Sequence, residues 1–291
     1  MTDLPLGVST WSFNGVLPQE VAGIADGGAS YLPEYADAIR RYYTDLADVI
    51  LASKIKSVEL WYSPVFDDAQ VFDQLKRLAD EGRVSSMHAP FGKHLDLSSL
   101  DEESRRAGVD ACISAARILA RLHGKTLVTH GSIHVEDSAQ MPERARQTEM
   151  SIAEIADHCR DMGLNVAVEI LAGMTVGNSG PEMLALLELI GRPNVGVCID
   201  VNHVFPTDQL IPTVHLLGPR ILTLHISDHD GIEEKHWLPM HGVIDWPGLI
   251  HALREVNYPG PFMYEVRFEA STIVEVESGI EENYRKLTVD S

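Results

Sequence analysis

The sequence predicts one (β/α)8 TIM barrel that spans residues 1–291 as a single domain. Eight short runs of apolar residues recur along the whole chain, and segments with helical periodicity lie between them. The length of 291 residues is also near the roughly 250 residues that are typical of this architecture. An open doubly wound sheet is the rival fold, but residues 11–15 lack the Gly-x-Gly-x-x-Gly turn that such sheets usually show after their first strand.

The predicted strands are nearly continuous in apolar and β-branched residues, as expected for parallel strands that are buried on both faces. In chain order they cover residues 6–11, 57–62, 84–89, 126–129, 165–170, 195–200, 221–226 and 261–266. No linker or change in composition separates two groups of strands, so we expect one barrel rather than two domains.

Helical periodicity and helix-terminal residues define the segments between the strands. The apolar residues at 112, 115, 116 and 119 follow the i, i+3, i+4, i+7 pattern, and those at 152, 155, 156 and 159 repeat it. Pro181 is predicted to open a further helix that Gly191 ends, because proline is favoured in the first turn and glycine just after the last one. Asp245 is predicted to cap the helix that begins at Trp246.

The chain is strongly acidic, with 43 Asp and Glu residues against 23 Lys and Arg and a formal net charge of -20. Such a surface repels nucleic acid and anionic lipid, so we expect neither as a partner. No apolar stretch approaches the roughly 18 residues of a membrane span, and Asp3 stands where a secretory signal needs a basic start. The three cysteines lack Cys-x-x-Cys spacing and indicate buried thiols in a reducing compartment. We therefore expect a cytoplasmic protein.

Barrel enzymes assemble their active sites at the carboxyl ends of the strands and on the loops that follow. In this sequence a few polar residue types recur at or just after those ends: Glu59, His88, His130, Glu169, Asp200, His203, His225 and Glu265. A glutamate inside an apolar run is costly to bury as an unpaired ion, so it is either protonated or next to a cation. An Arg or Lys partner explains a single case, but basic residues are scarce beside these strands.

Three carboxylates and one imidazole, on Glu169, Asp200, Glu265 and His225, predict a site for one divalent metal ion. Hard oxygen ligands with one nitrogen favour Mn2+, with Co2+ or Mg2+ as alternatives, over a closed tetrahedral zinc site. Open coordination positions accept substrate oxygens or water, so the metal site is predicted to be catalytic.

A second group of residues is predicted to contact the substrate. His203 follows Asp200 closely enough for both side chains to reach one pocket, and His236 lies in a loop that can return over the barrel mouth. Trp11 lies near a strand end and can present an apolar face to a sugar ring. The complete predicted set is His203, His88, His130, His236, Trp11 and Glu59.

Several segments together resemble a known family. The resemblance is carried by residues 198–203 and 224–228, by His-Ala-Pro at 88–90 in the third strand and by Tyr-Glu-Val at 264–266 in the final strand. Residues 236–246 are in addition similar to "HLPPGEGxIDW". The chain resembles the xylose isomerase-like TIM-barrel superfamily, specifically the sugar phosphate isomerase/epimerase group that also contains endonuclease IV. The resemblance covers essentially the whole chain.

The resemblance implies roles for individual residues. Glu169, Asp200, His225 and Glu265 match the metal ligands of the ketose epimerases in order, at spacings of 31, 25 and 40 residues. Glu169 and Glu265 also match the two carboxylates that exchange protons with the substrate, and His203 matches a substrate-binding histidine. The group often forms dimers or tetramers, which implies a homo-oligomer. His241 and Gly231 depart from the group's pattern, and these departures leave the identity of the sugar open.

The resemblance and the residues together predict a metal-dependent sugar isomerase or epimerase. The enzyme would remove an α-proton from a ketose or keto-polyol and form an enediolate. One alternative is a dehydratase or lyase that acts on a keto-sugar or inosose, with His236 or His203 as the general acid. Another is an endonuclease IV-like phosphodiesterase, whose extra metal ligands resemble His88, His130, His203 and His236. A sugar-binding barrel without turnover is the last alternative. Residues 13–33, rich in glycine, are either a lid over the site or an insertion.

Overall fold

The computed structural model describes residues 4–17, 35–204 and 209–289 and contains an eight-stranded parallel sheet in that part of the chain. Residues 18–33 of the predicted lid segment lie outside the described residues. The strands are β1 (Leu6–Ser9), β2 (Ser57–Trp61), β3 (Val84–His88), β4 (Thr126–His130), β5 (Asn165–Glu169), β6 (Val195–Asp200), β7 (Ile221–His225) and β8 (Phe262–Tyr264). Their order is β7-β6-β5-β4-β3-β2-β1-β8, in which each strand lies beside its sequence neighbour.

The sheet closes between β7 and β8 just beyond the end of β7. Ile226 forms an isolated parallel bridge with Tyr264. Its backbone N–H donates to the Met263 carbonyl at 2.8 Å, and its carbonyl accepts from the Glu265 N–H at 3.1 Å. These bonds join the two strands that end the sheet order, and the predicted (β/α)8 barrel is confirmed.

Helices alternate with the strands, as the periodicity predicts. The α-helices of the described residues are α1 (Ala36–Ala52), α2 (Ala69–Asp80), α3 (Glu102–Arg121), α4 (Met141–Asp161), α5 (Gly180–Ile190), α6 (Leu210–Leu217), α7 (Trp246–Glu255) and α8 (Ile273–Val289). The residues predicted to end one helix and to cap another are confirmed. Gly191 follows α5 in the left-handed conformation at φ 58°, and the Asp245 carboxylate accepts from the Gly248 N–H at the start of α7.

The first strand is shorter than predicted. Ser9 Oγ accepts a hydrogen bond from the Trp11 N–H at 3.3 Å, and residues Thr10–Val16 form a 3-10 helix instead of continuing the strand. The side-chain oxygen competes with the sheet for the backbone, as is common for serine. Trp11 therefore lies at the mouth of the barrel and not within its wall.

Apolar side chains fill the barrel and the layer between the barrel and its helices. Inside the barrel, Val128, Ala167 and Cys198 form a fully buried cluster. Cys112 and Cys159 are buried as well, and all three cysteines are free thiols, as predicted. No helix in the described ranges is both long enough and apolar enough to cross a membrane.

The strand register brings the polar strand ends side by side. His130 on β4 pairs with Glu169 on β5, and Asp200 on β6 pairs with His225 on β7. Because parallel strands end at the same edge of a barrel, these side chains meet above the apolar interior.

Candidate active site

A cavity of about 750 Å³ opens at the carboxyl ends of the strands. This size is in the range of cavities that enclose small molecules. Six of the ten residues predicted for the site line it: Trp11, His130, Glu169, His203, His236 and Glu265. The other four lie beneath its surface, each at most 1 % exposed: Glu59, His88, Asp200 and His225.

Glu169 lies at the centre of the histidines. Its Oε2 accepts a hydrogen bond from His88 Nε2 at 3.1 Å and lies 3.4 Å from His130 Nε2. Its Oε1 lies 3.5 Å from both His203 Nδ1 and His225 Nδ1. The two oxygens of this carboxylate therefore face different pairs of imidazoles.

His225 is oriented from below by a second carboxylate. Its Nε2 lies 2.8 Å from Glu59 Oε1, and Ser86 Oγ donates to Glu59 Oε2 at 2.8 Å. Because a carboxylate only accepts, the His225 Nε2 carries the hydrogen, and Nδ1 is left facing Glu265 Oε2 at 3.2 Å. A carboxylate behind an imidazole is the usual partner of a metal-binding histidine.

The position of Glu59 corrects the prediction that this residue contacts substrate. Its carboxylate is completely buried and both oxygens are used by His225 and Ser86. His88 is corrected for the same reason, because its ring lies beneath Trp61, stacked at 4.2 Å, and its Nδ1 donates to the Ala89 carbonyl. His88 instead supports Glu169, which lines the cavity, and Glu59 supports His225, which lies beneath it.

Within residues 4–17, 35–204 and 209–289, four buried side-chain atoms of the site have no hydrogen-bond partner: Asp200 Oδ2, His203 Nδ1, His225 Nδ1 and Glu265 Oε2. Asp200 Oδ2 and His203 Nδ1 are 3.3 Å apart, yet they are not aligned as a hydrogen bond. Leaving such groups unpaired in a protein interior is costly. Atoms of three of the four predicted metal ligands are in this group, so the residues present fit a divalent cation.

The ligand-type atoms form overlapping clusters whose members lie within 4.8 Å of one another. Among the described residues these include His88–His130–Glu169, Glu169–Asp200–His203, Glu59–His225–Glu265 and His203–Glu234–His236. Glu169 and His203 each belong to two of these clusters, so the candidate cation sites are contiguous.

Glu169 and Glu265, two of the three carboxylates that line the cavity, have opposite pKa shifts. Burial raises the pKa of Glu265 to about 7, and the nearby charges of Asp200 and Glu169 act in the same direction. Burial also acts to raise the pKa of Glu169, but the surrounding histidines, His225 and His130 first, outweigh it and hold this pKa well below its usual value. A cation beside both side chains would favour the ionised form of each.

Glu234 is a site residue that the sequence interpretation missed. Its carboxylate lines the cavity, with Oε1 2.6 Å from His236 Nε2 and Oε2 3.3 Å from His203 Nε2. Burial lowers the pKa of each of these histidines, but the neighbouring carboxylates outweigh it and raise the pKa of both. The sequence feature that could have identified Glu234 is its position two residues before His236, in a loop that follows a barrel strand.

The motif at residues 236–246 has a structural explanation in Asp228. The buried Asp228 carboxylate accepts from the indole N–H of Trp246 at 2.9 Å and from the Ile244 N–H at 3.3 Å. A Cβ on Gly242 would lie 2.3 Å from Asp228 Oδ1, so only glycine fits there. This clamp closes the loop that carries Glu234 and His236 over the cavity.

Comparisons with known proteins agree with the barrel fold. A model of the xylose isomerase-like TIM barrel family matches residues 48–288. A ketose 3-epimerase from Arthrobacter globiformis is 26% identical over 220 residues, which are 74% of this chain and 74% of that protein. A D-psicose 3-epimerase from Agrobacterium fabrum is 27% identical over 210 residues, 69% of this chain and 70% of that protein. The crystal structure of a D-allulose 3-epimerase from Methylomonas sp. has a TM-score of 0.75 at 17% identity and covers 99% of both chains.

Proposed function

We propose that this chain, which belongs to the xylose isomerase-like TIM barrel family, is a divalent-metal-dependent epimerase or isomerase of a ketose or keto-polyol. The observation that carries the proposal is the convergence of unpaired buried ligand atoms at a cavity that Glu169 and Glu265 line. The epimerases among its relatives support the same reaction class.

The proposed metal ligands are Glu169, Asp200, His225 and Glu265, and Mn2+ is the ion that we expect, with Co2+ or Mg2+ as alternatives. When bound, a divalent ion stabilises negative charge that develops on substrate oxygens during proton removal. Glu59 would keep His225 in the tautomer that turns Nδ1 toward the ion, because the Nε2 hydrogen is engaged by its carboxylate.

The chain's own residues supply the proton transfers. Glu169 and Glu265 both line the cavity, so each can reach a carbon next to the substrate carbonyl. One carboxylate takes the proton, and the electron pair of the broken C–H bond forms the enediolate double bond. The other carboxyl group returns a proton to the opposite face of that carbon, which inverts it. His203 and His236 line the same cavity and can donate hydrogen bonds to substrate hydroxyls.

The reaction class is tested by proton exchange in D2O. The Mn2+-loaded protein is incubated with ketoses, inososes and keto-glycosides, and NMR follows loss of the α-proton signal. We expect exchange without loss of water, and we expect Glu169→Gln and Glu265→Gln each to lower its rate by about 10²–10⁴-fold. Glu188→Gln, an exposed carboxylate on α5, is the matched control and should retain the rate.

Other outcomes of the exchange experiment would indicate a different function or mechanism. An unsaturated product would identify a dehydratase or lyase, for which His203 or His236 would be the general acid. If either glutamine variant keeps near-normal turnover with metal bound, the two-carboxylate mechanism is wrong. Metal-dependent binding of sugars without any proton exchange would indicate a sugar-binding barrel without catalytic activity.

A second candidate function is phosphodiester hydrolysis. The clusters His88–His130–Glu169 and His203–Glu234–His236 favour it, because they can hold two cations beyond the one proposed above. The net charge of -20 opposes a nucleic-acid substrate. Metal analysis of the purified protein separates the candidates: three zinc ions per chain would support a phosphodiesterase, and one Mn2+ or Co2+ would support the epimerase.

A further inference from the structure

We propose that the cavity contains a second subsite, next to the catalytic residues, that binds an uncharged apolar group attached to the sugar. The substrate would then be a glycoside of an apolar, for example aromatic, alcohol and not a free monosaccharide. The sugar part of this inference rests on the proposed function. The apolar subsite rests on the size and lining of the cavity alone.

The cavity is larger than a single sugar requires. At the packing density of a protein interior, about 20 Å³ per non-hydrogen atom, the twelve such atoms of a hexose fill about 240 Å³. The cavity measures about 750 Å³. About two thirds of it therefore remains for another group.

The lining is divided by chemistry. Most of the carboxylates and histidines come from the ends of β4, β5 and β8 and from the loops after β6 and β7. The loops after β2 to β5 form the neighbouring part of the wall, which is largely apolar and includes the polar residues Ser132, His134 and Thr175. Its apolar side chains include Tyr62, Phe91, Leu95, Ile133 and Leu171, and the Phe91 ring lies 4.0 Å from the His130 ring. Phe91 is 43% exposed and lines the cavity. A neutral apolar group would cover this surface.

The charge of the lining disfavours a phosphorylated sugar. No lysine or arginine is among the cavity-lining residues of the described ranges, whereas Glu169, Glu234 and Glu265 are. A phosphate group carries about 1.5–2 negative charges at neutral pH and is usually held by basic side chains or a helix N-terminus. The occupant of the apolar side is therefore expected to be uncharged.

Buried hydrogen bonds hold the apolar wall in place. Asp96 Oδ1 accepts from the Ser98 N–H at 3.0 Å and from the Ile133 N–H at 3.4 Å, and Asp96 Oδ2 pairs with Arg144 at 2.8 Å. These bonds join the loop of Leu95 to the loop of Ile133. A wall that is ordered before binding costs less conformational entropy when a ligand arrives.

A second pair of bonds joins the next two loops. The Val135 N–H donates to the Met174 carbonyl at 2.8 Å, and the Val176 N–H donates to Ser132 Oγ at 2.8 Å. The loop of Ile133 is thereby joined to the loop of Leu171. Three of the four loops, those of Leu95, Ile133 and Leu171, are thus joined into one connected surface.

Binding without turnover tests the subsite directly. Phenyl β-D-glucoside and methyl β-D-glucoside are titrated into the Mn2+-loaded full chain, and fluorescence reports binding because Trp11 and Trp61 line the cavity. We expect the phenyl glycoside to bind at least tenfold more tightly. Leu95→Ala should reduce that advantage at least threefold, whereas Leu100→Ala, an exposed leucine of the same loop outside the cavity lining, should leave it unchanged. Equal affinities, or tighter binding of glucose 6-phosphate than of the phenyl glycoside, would overturn the inference.

Turnover of the corresponding keto-glycosides separates this inference from the proposed function. We expect α-proton exchange with a higher kcat/KM for the phenyl than for the methyl keto-glycoside. If free ketoses exchange their α-proton and the phenyl keto-glycoside has no higher kcat/KM than the methyl one, the subsite is refuted and the proposed epimerase function stands. If the phenyl glycoside binds selectively but no substrate exchanges its α-proton, the proposed epimerase function is refuted and the subsite stands.

Discussion

Replacement of Glu59 tests how the site is supported from below. Its carboxylate is completely buried and accepts from His225 Nε2 and from Ser86 Oγ, both at 2.8 Å. Glu59→Gln keeps the volume and an oxygen for the His225 hydrogen but removes the charge. Loss of such a partner typically lowers metal affinity by 10–100-fold, which is about 1.4–2.7 kcal/mol. We expect that loss in the Mn2+ dissociation constant measured by isothermal titration calorimetry.

Truncation of the same side chain adds a cost in stability. Glu59→Ala leaves the buried His225 Nε2–H without a partner and the Ser86 hydroxyl with only Ser85 Oγ at 3.5 Å, at about 1–3 kcal/mol each. The expected loss in the free energy of unfolding of the metal-free protein is therefore about 2–6 kcal/mol, measured by urea denaturation. Ser86→Ala is the control: it leaves the Glu59–His225 bond in place, and we expect it to change Mn2+ affinity less than threefold. Wild-type Mn2+ affinity in both Glu59 variants would refute this account of the site.

Three further predictions concern the Asp228 clamp and the metal. Gly242→Ala places a Cβ 2.1 Å from the His229 carbonyl oxygen, so we expect a loss of about 1–3 kcal/mol in thermal unfolding; Gly15→Ala, whose Cβ meets nothing within 4 Å, should show no such loss. Trp246→Phe removes the indole N–H donor to Asp228 and should cost about 1.5–3 kcal/mol in urea denaturation; an unchanged midpoint would show that the clamp does not depend on that bond. Mn2+ at 100 times its dissociation constant should stabilise the protein by about 2.7 kcal/mol and raise Tm by about 4–5 °C. This rise should be absent in Asp200→Asn and present in Glu188→Gln.

Most of the fold could be predicted because each element has a local signature. The runs of apolar residues mark all eight strands, and β6 has the predicted bounds Val195–Asp200. Gly191 and Asp245 end and begin their helices through backbone conformation and capping, which depend on residues close in sequence. The predicted end of β1 at residue 11 was wrong because the Ser9 side chain bonds to the backbone, which forms a 3-10 helix from Thr10 onward.

The site could be predicted in outline for a related reason. A barrel brings all strand ends to one edge, so a list of polar strand-end residues already names the groups that meet there. Six of the ten predicted residues line the cavity. The motif at residues 236–246 was visible in the sequence, but its structural explanation, the bonds from Ile244 and Trp246 to Asp228, became visible only once the loop was folded.

The sequence by itself determined the barrel, the acidic surface and the supply of carboxylates and imidazoles at the strand ends, because these follow from periodicity, composition and strand order. Only the tertiary structure decided which of those groups face the cavity and which lie beneath it. Glu59 supports His225 across 166 residues of sequence, and Glu234 joins His203 to His236 through a loop that folds back. Such roles depend on side-chain direction and on contacts between distant strands, and spacing along the chain does not encode either.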